Sequence, residues 1–347
     1  MKSNKYTISD VAKMLGVSRS TVSKAINDAP GVGPEARKKI LDFVEEIGYR
    51  PNTLARGLSK GRINIVTLIL GDVRNPFYSD LAFYIQKILN ENGYMVMVFN
   101  SEYKEQKEIE FIKMTEQFNF AGLILITAQS NDLKLALEKV EVPVVLVNRS
   151  FEDYQGDAVF LDNFKGGYIA TMHLMELGHR RIGFIGGQIS SSSIEHRISG
   201  YRQVLKNYHL PILAEDIMLG ELGFDTGFEI AKGVIKDIKN KPSAFVVGND
   251  MTALGFMECC KQFGISIPQM ISIISFDDIM FSSIKDIELT TVSQHVKEMS
   301  ENTARLMLRR LKNPNAESER IVIDPTLVLR STTGIYNQNR FNTASEH

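Results

Sequence analysis

Strand-like and helix-like segments alternate along the chain from residue 62 onward, and this alternation restricts the possible fold more than any other feature. Short apolar, β-branched runs predict strands at 63–70, 94–99, 123–127, 144–147, 158–161, 181–185, 244–247 and 271–276. Between them, apolar residues with a helical period predict helices at 77–92, 105–118, 164–177, 194–207, 226–236, 251–263 and 295–311. Strands that alternate with helices of this length form parallel sheets with right-handed crossovers, so we predict an α/β fold.

These elements are too numerous for one compact sheet. We therefore predict two subdomains, each a doubly wound parallel sheet, with a cleft between them. In folds of this kind, ligands bind outside the carboxyl ends of the strands. A cleft at these ends is the expected site for a small molecule.

The first 50 residues have a different pattern, which predicts three short helices. Thr7 is expected to cap the first helix and Ser18 the second, which should run to about Asn27. Pro34 is well placed to begin the third helix, and Gly48 to close it. Two helices joined by a short glycine-containing turn and supported by a third are typical of a helix-turn-helix unit, whose second helix enters the major groove of DNA.

The second helix is polar on one side and apolar on the other. The polar side has no acidic residue and consists of Arg19, Ser20, Ser23, Lys24 and Asn27. The apolar side should pack on the first helix, and consists of Val22, Ala25 and Ile26. The inner face of the third helix is predicted to be Ala36, Ile40, Phe43, Val44 and Ile47. The polar side of the second helix can hydrogen-bond to bases or phosphates. The alternative interpretation is that the three helices form a generic bundle.

Charge is distributed unevenly along the chain. Residues 1–62 carry twelve Lys or Arg and six Asp or Glu, a net charge of +6, whereas the other 285 residues carry 28 and 35, a net charge of −7. A basic head on an acidic body is typical of a nucleic-acid-binding protein with a separate sensing domain. A solvated basic surface without a polyanionic partner is the alternative.

The sequence of the segment that follows the head, 51–61, predicts a short helix that cannot be stable alone. Asn52 can cap a helix of about two turns that runs from residue 53 to 58 or 59. Isolated helices shorter than about 12 residues are marginal in water. The segment is therefore either a plain linker or a helix that forms only when it pairs with its copy on DNA.

Composition and motifs exclude several classes of protein. The longest apolar stretch, 65–70, is too short to span a bilayer, and the first residues have no apolar signal, so we expect a cytoplasmic protein that does not contact a membrane. Cys259 and Cys260 are adjacent, which gives neither a disulfide framework nor a zinc site. No glycine-rich nucleotide loop or catalytic motif is present, so we predict no cofactor and no enzyme activity. His173, Glu176 and His179 span a helix end, and we expect no metal there.

Longer motifs cover most of the chain. The head and linker read TISDVAKMLGVSRSTVSKAINDAPGVGPEARKKILDFVEEIGYRPNTLARGLSKG at 7–61. The body contains NPFY at 75–78, GLIL at 122–125, PVVLVNR at 143–149, LDNFKGGYIATMHLMELGHRRIGFIGG at 161–187, HRISGY at 196–201, VVGNDMTALG at 246–255, SFDD at 275–278 and LTTV at 289–292. Over roughly residues 6 to 335, the chain resembles the lactose/galactose-repressor (LacI/GalR) family of transcriptional regulators.

The resemblance implies the domain organisation. It places a helix-turn-helix domain at 1–50, a hinge helix at 51–61 and a tail at 341–347. The body, 62–340, would have the fold of periplasmic sugar-binding proteins, in which each subdomain combines separate parts of the chain. The N-subdomain would contain 62–161 and 292–323, and the C-subdomain 162–291 and 324–340. The end of the chain has no leucine heptad, so a tetramerising coiled coil is not expected.

The resemblance also implies DNA contacts. Arg19, Ser20 and Lys24 would contact bases in the major groove, and Leu58 would insert between base pairs in the minor groove as apolar wedges do. Further contacts would come from Thr7, Ser18, Thr21, Asn27, Tyr49, Asn52 and Ala55. Lys24 stands where the family more often has Arg. Because lysine lacks the bidentate fork that reads guanine, the base under Lys24 is not fixed by the resemblance.

Effector contacts carried over from the family fall in the predicted cleft. They are Phe77, Tyr78, Arg149, Arg197, Leu222, Asn249 and Asp277. Arg197 offers a fork of donors and Asp277 accepts from hydroxyls, and their charges roughly cancel, which favours a neutral, hydroxyl-rich ligand. Asn249 could instead cap a helix and Phe77 could belong to the core. Leu222 occupies a position where several relatives have a stacking aromatic, which argues against a purine-like ligand.

These patterns together predict a homodimeric transcriptional repressor that binds a pseudo-palindromic operator in double-stranded DNA. A small, sugar-like effector in the cleft would alter hinge pairing, and the regulated genes would serve carbohydrate utilisation. A regulator whose corepressor is a phosphorylated carrier protein is an alternative. A periplasmic-type sugar-binding protein is a more remote one, since it would need a signal peptide and no helix-turn-helix.

Overall fold

The structure is a computed structural model that describes residues 6–49, 62–127, 130–149, 151, 153–188 and 191–338. The chain divides into two compact units, Met1–Ile63 and Asn64–His347. The predicted hinge helix at 51–61 and the tail at 341–347 lie outside the described residues.

The first unit contains three helices, α1 (Ile8–Leu15), α2 (Arg19–Ile26) and α3 (Pro34–Glu46). Their shared core consists of Val11, Ala12, Val22, Ala25, Ile40 and Val44. Gly16 closes α1 in the left-handed region at φ 64°, a conformation that favours glycine, and so permits the tight turn into α2. Ala36, predicted to face this core, is exposed instead, because it lies in the first turn of α3, before the helix reaches the core residues Ile40 and Val44.

The second unit contains two six-stranded sheets, each covered by helices on both faces. The strands are β1 (Ile63–Leu70), β2 (Met95–Asn100), β3 (Phe120–Leu125), β4 (Val144–Val147), β5 (Asp157–Leu161), β6 (Ile182–Gly186), β7 (Ile217–Leu219), β8 (Ala244–Val247), β9 (Ser272–Asp277), β10 (Thr291–Ser293), β11 (Arg320–Ile323) and β12 (Thr326–Val328). The helices are α4 (Pro76–Glu91), α5 (Glu105–Gln117), α6 (Asn131–Leu137), α7 (Asn163–Glu176), α8 (Ser192–Asn207), α9 (Phe224–Ile235), α10 (Asp250–Gln262) and α11 (Val296–Lys312).

The strand order of the first sheet is β11-β5-β4-β3-β1-β2, and that of the second is β12-β10-β9-β8-β6-β7. In each sheet the order reverses near the middle, between β1 and β3 or between β6 and β8. Such a reversal opens a crevice at the carboxyl ends of the strands. The predicted fold class, a helical head with two doubly wound α/β sheets, is confirmed, except that β12 pairs antiparallel with β10.

The chain passes between the sheets three times, after β5, after β10 and after β11. The backbone N–H of Asp162 donates to Ile323 O at 2.9 Å, which holds the first and third crossings side by side. Met251, Leu254 and Ile279, which belong to the second sheet's part of the chain, pack against the apolar core of the first. The two subdomains are therefore in contact through apolar side chains as well as through the crossings.

The sequence-based boundaries of the eight predicted strands and seven predicted body helices agree with the structure within a few residues. Strands β7, β10, β11 and β12 and helix α6 were not predicted. No helix in the described part of the chain is long and apolar enough to cross a membrane.

Candidate functional site

Helix α2 packs on the rest of the head through its apolar side and exposes a polar side to solvent. Val22 and Ala25 are buried against the other two helices, whereas Arg19, Ser20 and Lys24 are exposed. At about 100° per residue, these three exposed side chains lie within about 140° of the helix circumference, on the side opposite Val22 and Ala25. Because this face has no acidic side chain, it can approach a polyanion without repelling the phosphates.

Other predicted DNA contacts are engaged in helix ends. Thr7 and Asp10 form a reciprocal capping box, with the N–H of Thr7 donating to the Asp10 carboxylate at 2.8 Å. These hydrogen bonds lower the pKa of Asp10. Ser18 Oγ accepts from the N–H of Thr21 at 3.0 Å and contacts the Thr21 hydroxyl at 2.8 Å. The caps fix the entry angle of both helices.

Two further predicted DNA contacts, Asn27 and Tyr49, interact with other parts of the head. Asn27 Nδ2 donates to Ser23 O at 2.8 Å, at the end of α2. Tyr49 packs against the core of the head, and burial raises the pKa of its hydroxyl. Asn52, Ala55 and Leu58, the remaining predicted DNA contacts, lie outside the described residues.

In the body, a close crossing of α7 and α8 positions the buried Arg197. A Cβ atom on Gly167 would lie 2.0 Å from Arg197 O, and one on Gly200 would lie 2.2 Å from Phe164 O. Only glycine permits this approach of the two backbones. The approach lets Arg197 Nε donate to Asn163 Oδ1 at 2.7 Å.

The Arg197 guanidinium is held in a fixed orientation at the carboxyl ends of the second sheet. Its Nη1 donates to Gly248 O at 2.8 Å, and its central carbon lies 4.1 Å from the centroid of the Phe276 ring. The aromatic face attracts the cation. Burial nevertheless lowers the pKa of Arg197 to about 10, although the negative charge of Asp277 opposes the shift.

Asp277 ends β9 beside this guanidinium and is almost completely buried. Gln294 Nε2 donates to Asp277 Oδ1. The backbone of Asp277 has φ 118°, which L-residues rarely adopt, and strained residues of this kind occur at functional sites. Burial first, and the nearby Asp250 second, raise the pKa of the Asp277 carboxyl well above its ordinary value.

Asp250 connects the segments around the site. Its carboxylate accepts hydrogen bonds from Ser282 Oγ at 2.6 Å, Thr291 Oγ1 at 2.7 Å, the N–H of Ile279 at 2.9 Å and the Ser275 hydroxyl. It thereby joins α10 to β9, to β10 and to the loop after β9. The neighbouring Asn249 caps α10, accepting from the N–H of Thr252 at 2.9 Å, so the helix-cap interpretation of its side-chain oxygen applies.

The first sheet contributes aromatic and basic side chains at its carboxyl ends. Phe77 and Tyr78 begin α4 and belong to the apolar core of that subdomain. The Tyr78 ring meets the Tyr103 ring edge to face, with centroids 6.1 Å apart. Arg149 follows β4, with its guanidinium carbon 5.7 Å from the centroid of the Tyr103 ring. Phe77 therefore occupies the core position that was the alternative to ligand contact.

Leu222 lies at the second sheet's side of the crevice. A Cβ atom on Gly187, just after β6, would lie 3.2 Å from Leu222 Cδ1. Leu222 also packs against the apolar core of the second sheet. The carboxyl end of β6 is therefore covered by an aliphatic side chain.

Electrostatic coupling places Arg149 and Tyr78 in one group with Arg197 and Asp277. Arg149 lowers the pKa of Arg197, while Tyr78, Asp277 and Asp250 raise it. Arg149 and Tyr78 come from the first sheet, and the others from the second. The carboxyl ends of both sheets thus face one polar crevice within the second unit.

Comparison with known proteins identifies the family. Residues 7–52 match the family of bacterial regulatory proteins of the lacI type, and residues 171–333 match a periplasmic binding protein-like domain. The HTH-type transcriptional regulator DegA of Bacillus subtilis is 33% identical over 337 residues, which are 96% of this chain and 99% of DegA. The chain belongs to the LacI family.

Solved structures agree with this assignment. The lac repressor dimer bound to operator and an anti-inducer has a TM-score of 0.83 at 23% identity and shows the same fold, covering 95% of this chain and 99% of that one. A LacI-family regulator from Enterococcus faecium with bound ribose has a TM-score of 0.69 at 27% identity, covering 79% of this chain and all of that one. The prediction of a DNA-binding transcriptional regulator rather than an enzyme is confirmed.

Within this LacI-family chain, three residues of the crevice were not singled out in the sequence. Asn163 and Gln294 hydrogen-bond to Arg197 and Asp277, and Asp250 joins four segments. Each lies within four residues after a strand, which is the place where crevice residues of such sheets are expected. That signal could have identified Asn163 and Asp250, whereas Gln294 follows the unpredicted β10.

The two histidines considered as metal ligands contact the C-terminal segment instead. His179 is buried between Ser243 and Ser272, with ring nitrogens 2.8 and 3.1 Å from their hydroxyls, and its Nε2 also lies 3.1 Å from Gly334 O. His173 Nε2 lies 2.9 Å from Thr333 Oγ1. These contacts anchor the segment after β12 to the second sheet.

Proposed function

We propose that this protein is a homodimeric repressor of a carbohydrate-utilisation operon, with a small, sugar-like effector in the crevice between the two sheets. It would bind a pseudo-palindromic operator in the cytoplasm. The observation that carries the proposal is the convergence of Arg149, Arg197 and Asp277 at the carboxyl ends of two sheets in a chain that also has a helix-turn-helix.

The DNA side of the proposal follows from the exposed face of α2. Arg19 can form a bidentate pair with a guanine, and Ser20 and Lys24 can contact bases or phosphates. Two heads in a dimer would read half-sites about one helical turn apart. The paired hinge segments would bind at the centre of the operator, as the family resemblance implies.

The dimer is supported by apolar side chains left exposed on the body. Met95 and Met97 lie on β2, the edge strand of the first sheet, and Phe83 lies on the neighbouring α4. Met280, Phe281 and Ile284 are exposed after β9. Exposed apolar patches next to a sheet edge are characteristic of protein interfaces.

Effector control would act through the contact between the subdomains. A ligand that bridges Arg149 on the first sheet and Asp277 on the second favours one relative orientation of the two. It shifts the equilibrium only by its difference in affinity for the two orientations, typically about 1–3 kcal/mol. The bound ribose in the Enterococcus faecium relative supports a polyhydroxylated effector.

The test is a genomic selection for DNA fragments, followed by binding titrations with and without candidate sugars. We expect Asp277→Ala to retain salt-sensitive operator binding and to lose the response to the effector, because the acceptor in the crevice is removed. The matched control is Asp237→Ala, an exposed aspartate just after α9. A normal dose–response in Asp277→Ala would contradict the site. A response only to a phosphorylated carrier protein would favour that alternative.

A further inference from the structure

The buried polar atoms that lack partners are concentrated in the crevice. Among the described residues, five buried side-chain nitrogen or oxygen atoms have no hydrogen-bond partner. Four of them are Asn148 Oδ1, Arg149 Nε, Arg149 Nη1 and Gln294 Oε1. Asn148 and Arg149 follow β4, and Gln294 follows β10, so all four lie at carboxyl ends of strands. Buried polar groups in native proteins are nearly always paired, so such a concentration indicates a ligand.

The chemistry of these four atoms specifies complementary groups. Two are amide oxygens, which accept hydrogen bonds and so require donors such as hydroxyls. Two are guanidinium N–H groups, which require an acceptor. The hydroxyls of a polyhydroxylated molecule satisfy the two amide oxygens. The two guanidinium N–H groups can bind either a neutral or an anionic acceptor, and the charges around them decide which is favoured.

The charges around Arg149 favour an anionic group. Arg149 is only 8% exposed and Arg197 only 3%, and neither takes part in an ion pair among the described residues. Arg197 donates to the neutral oxygens of Asn163 and Gly248. An unpaired buried charge is costly, and two in one crevice repel each other.

The carboxyl groups nearby do not compensate for these two cations. Glu108 accepts from the hydroxyls of Ser101 and Thr127, and burial raises its pKa. Asp277 and Asp250 are buried and also have raised pKa values. All three carboxyl groups are held by hydroxyl, amide or backbone donors, so neither guanidinium has a carboxylate partner among the described residues. This revises the expectation that one Arg and one Asp cancel.

We propose that the effector is a polyhydroxylated molecule with an anionic group, a carboxylate or a phosphate, that binds Arg149 Nε and Nη1. Its hydroxyls donate to Asn148 and Gln294. This inference rests on the proposed function, because it specifies the class of the same effector. Charge-assisted hydrogen bonds to a guanidinium are stronger than neutral ones, so the anionic group would dominate selectivity.

The first experiment uses inorganic phosphate as the probe on the full-length protein. The shift in unfolding temperature is measured against chloride at equal ionic strength for the wild type, Arg149→Gln and the exposed control Arg202→Gln. We expect a saturable stabilisation in the wild type and in Arg202→Gln, and none in Arg149→Gln. An equal effect in all three proteins, which an adventitious surface ion would give, or no effect in the wild type, would overturn the proposal.

The same variants separate ligand binding from a structural role. In the absence of ligand, Arg149→Gln removes an unpaired buried charge, so its unfolding temperature is expected to equal or exceed that of the wild type. A fall in this temperature would show that Arg149 stabilises the fold and would overturn the proposal. Operator binding by Arg149→Gln is expected to persist, so failure of this proposal is distinguishable from failure of the DNA-binding function.

The second experiment compares glucose, glucuronate and glucose 6-phosphate, and likewise ribose and ribose 5-phosphate, by calorimetry. We expect an anionic member to bind at least about tenfold more tightly than its neutral parent, and this preference to disappear in Arg149→Gln. The carboxylated and phosphorylated arms identify which anion fits. Equal or tighter binding of the neutral parent would contradict an anionic effector.

Discussion

Single buried residues determine the electrostatic character of the crevice. Arg197 is held by two neutral acceptors and an aromatic ring, and Asp277 accepts from Gln294 in a strained backbone conformation. Both are removed from water, which disfavours their charged forms. The protein maintains this costly arrangement because the surrounding packing fixes it, and a ligand with matching groups recovers the lost interactions.

The raised pKa of Asp277 leads to a prediction about stability and pH. Between the ordinary carboxyl pKa and the raised one, the folded protein binds a proton that the unfolded chain does not. The group therefore stabilises the fold at low pH and loses this contribution as the pH rises through the folded-state pKa. Asp277→Asn imitates the neutral carboxyl, so we expect its free energy of unfolding to depend less on pH above about 4 than that of the wild type.

This dependence is measured by denaturant unfolding at a series of pH values. Asp286→Asn is the matched control, because Asp286 is exposed and its backbone, at φ 74°, suits asparagine. The control should reproduce the wild-type profile. A profile of Asp277→Asn that is as steep as that of the wild type would show that Asp277 is ionised in the folded protein.

At the level of elements, glycines allow helices to approach closely and so position the site. Gly167 and Gly200 bring α7 onto α8, and Gly227 and Gly255 do the same for α9 and α10, where an added Cβ would lie 1.8–1.9 Å from a carbonyl oxygen. The first crossing places Arg197 against Asn163. Helix packing and the geometry of the crevice are therefore coupled.

Gly200→Ala is expected to destabilise the body by about 3 kcal/mol or more, because the new methyl group overlaps the backbone of α7 and the helices must separate. Gly233→Ala is the control on α9, where the same Cβ meets nothing within 4 Å and should stabilise the helix by about 0.5–1 kcal/mol. Thermal and denaturant unfolding measure both. Similar effects of the two substitutions would contradict the close crossing of α7 and α8.

The sequence predicts long elements well and short ones poorly, for a physical reason. Strands such as β1 are continuous buried apolar runs, so their signal is local. By contrast, β7, β10 and β12 have three residues each and form because neighbouring strands supply hydrogen bonds. Helix α6 spans seven residues, close to the limit of a detectable period.

The same distinction applies to the site. Arg197 and Asp277 lie in motifs that the sequence displays, whereas their partners depend on tertiary placement. Gln294 reaches Asp277 only because β10 pairs with β9, a contact between segments that the sequence does not link. The resemblance already includes Arg149 among the effector contacts, but the proposed roles of Asn148 and of the Arg149 nitrogens rest on the absence of partners for their buried atoms, which no sequence pattern shows.

At the level of the whole molecule, a net charge of −1 conceals a head of +6 and a body of −7. A polyanion should therefore interact with the head and be repelled by the body. For non-specific duplex DNA, the logarithm of the binding constant falls linearly with the logarithm of the salt concentration. Each phosphate that the protein neutralises makes this slope steeper by about 0.9. This makes the salt dependence a measure of how many basic residues of the head contact DNA.

The double variant Arg19→Gln, Lys24→Gln removes two charges from the exposed face of α2 in each chain. If both heads of a dimer bind, we expect the slope of log K against log salt concentration to become shallower by up to about 4, against up to about 2 for a single head. Fluorescence anisotropy on a random duplex between low and physiological salt measures this slope, with sedimentation to establish the oligomeric state. The double variant Lys239→Gln, Lys261→Gln is the matched control, because it removes two exposed charges from the body. It should leave the slope unchanged. An equal change in both double variants would mean that the body, and not α2, supplies the contacts with the phosphates.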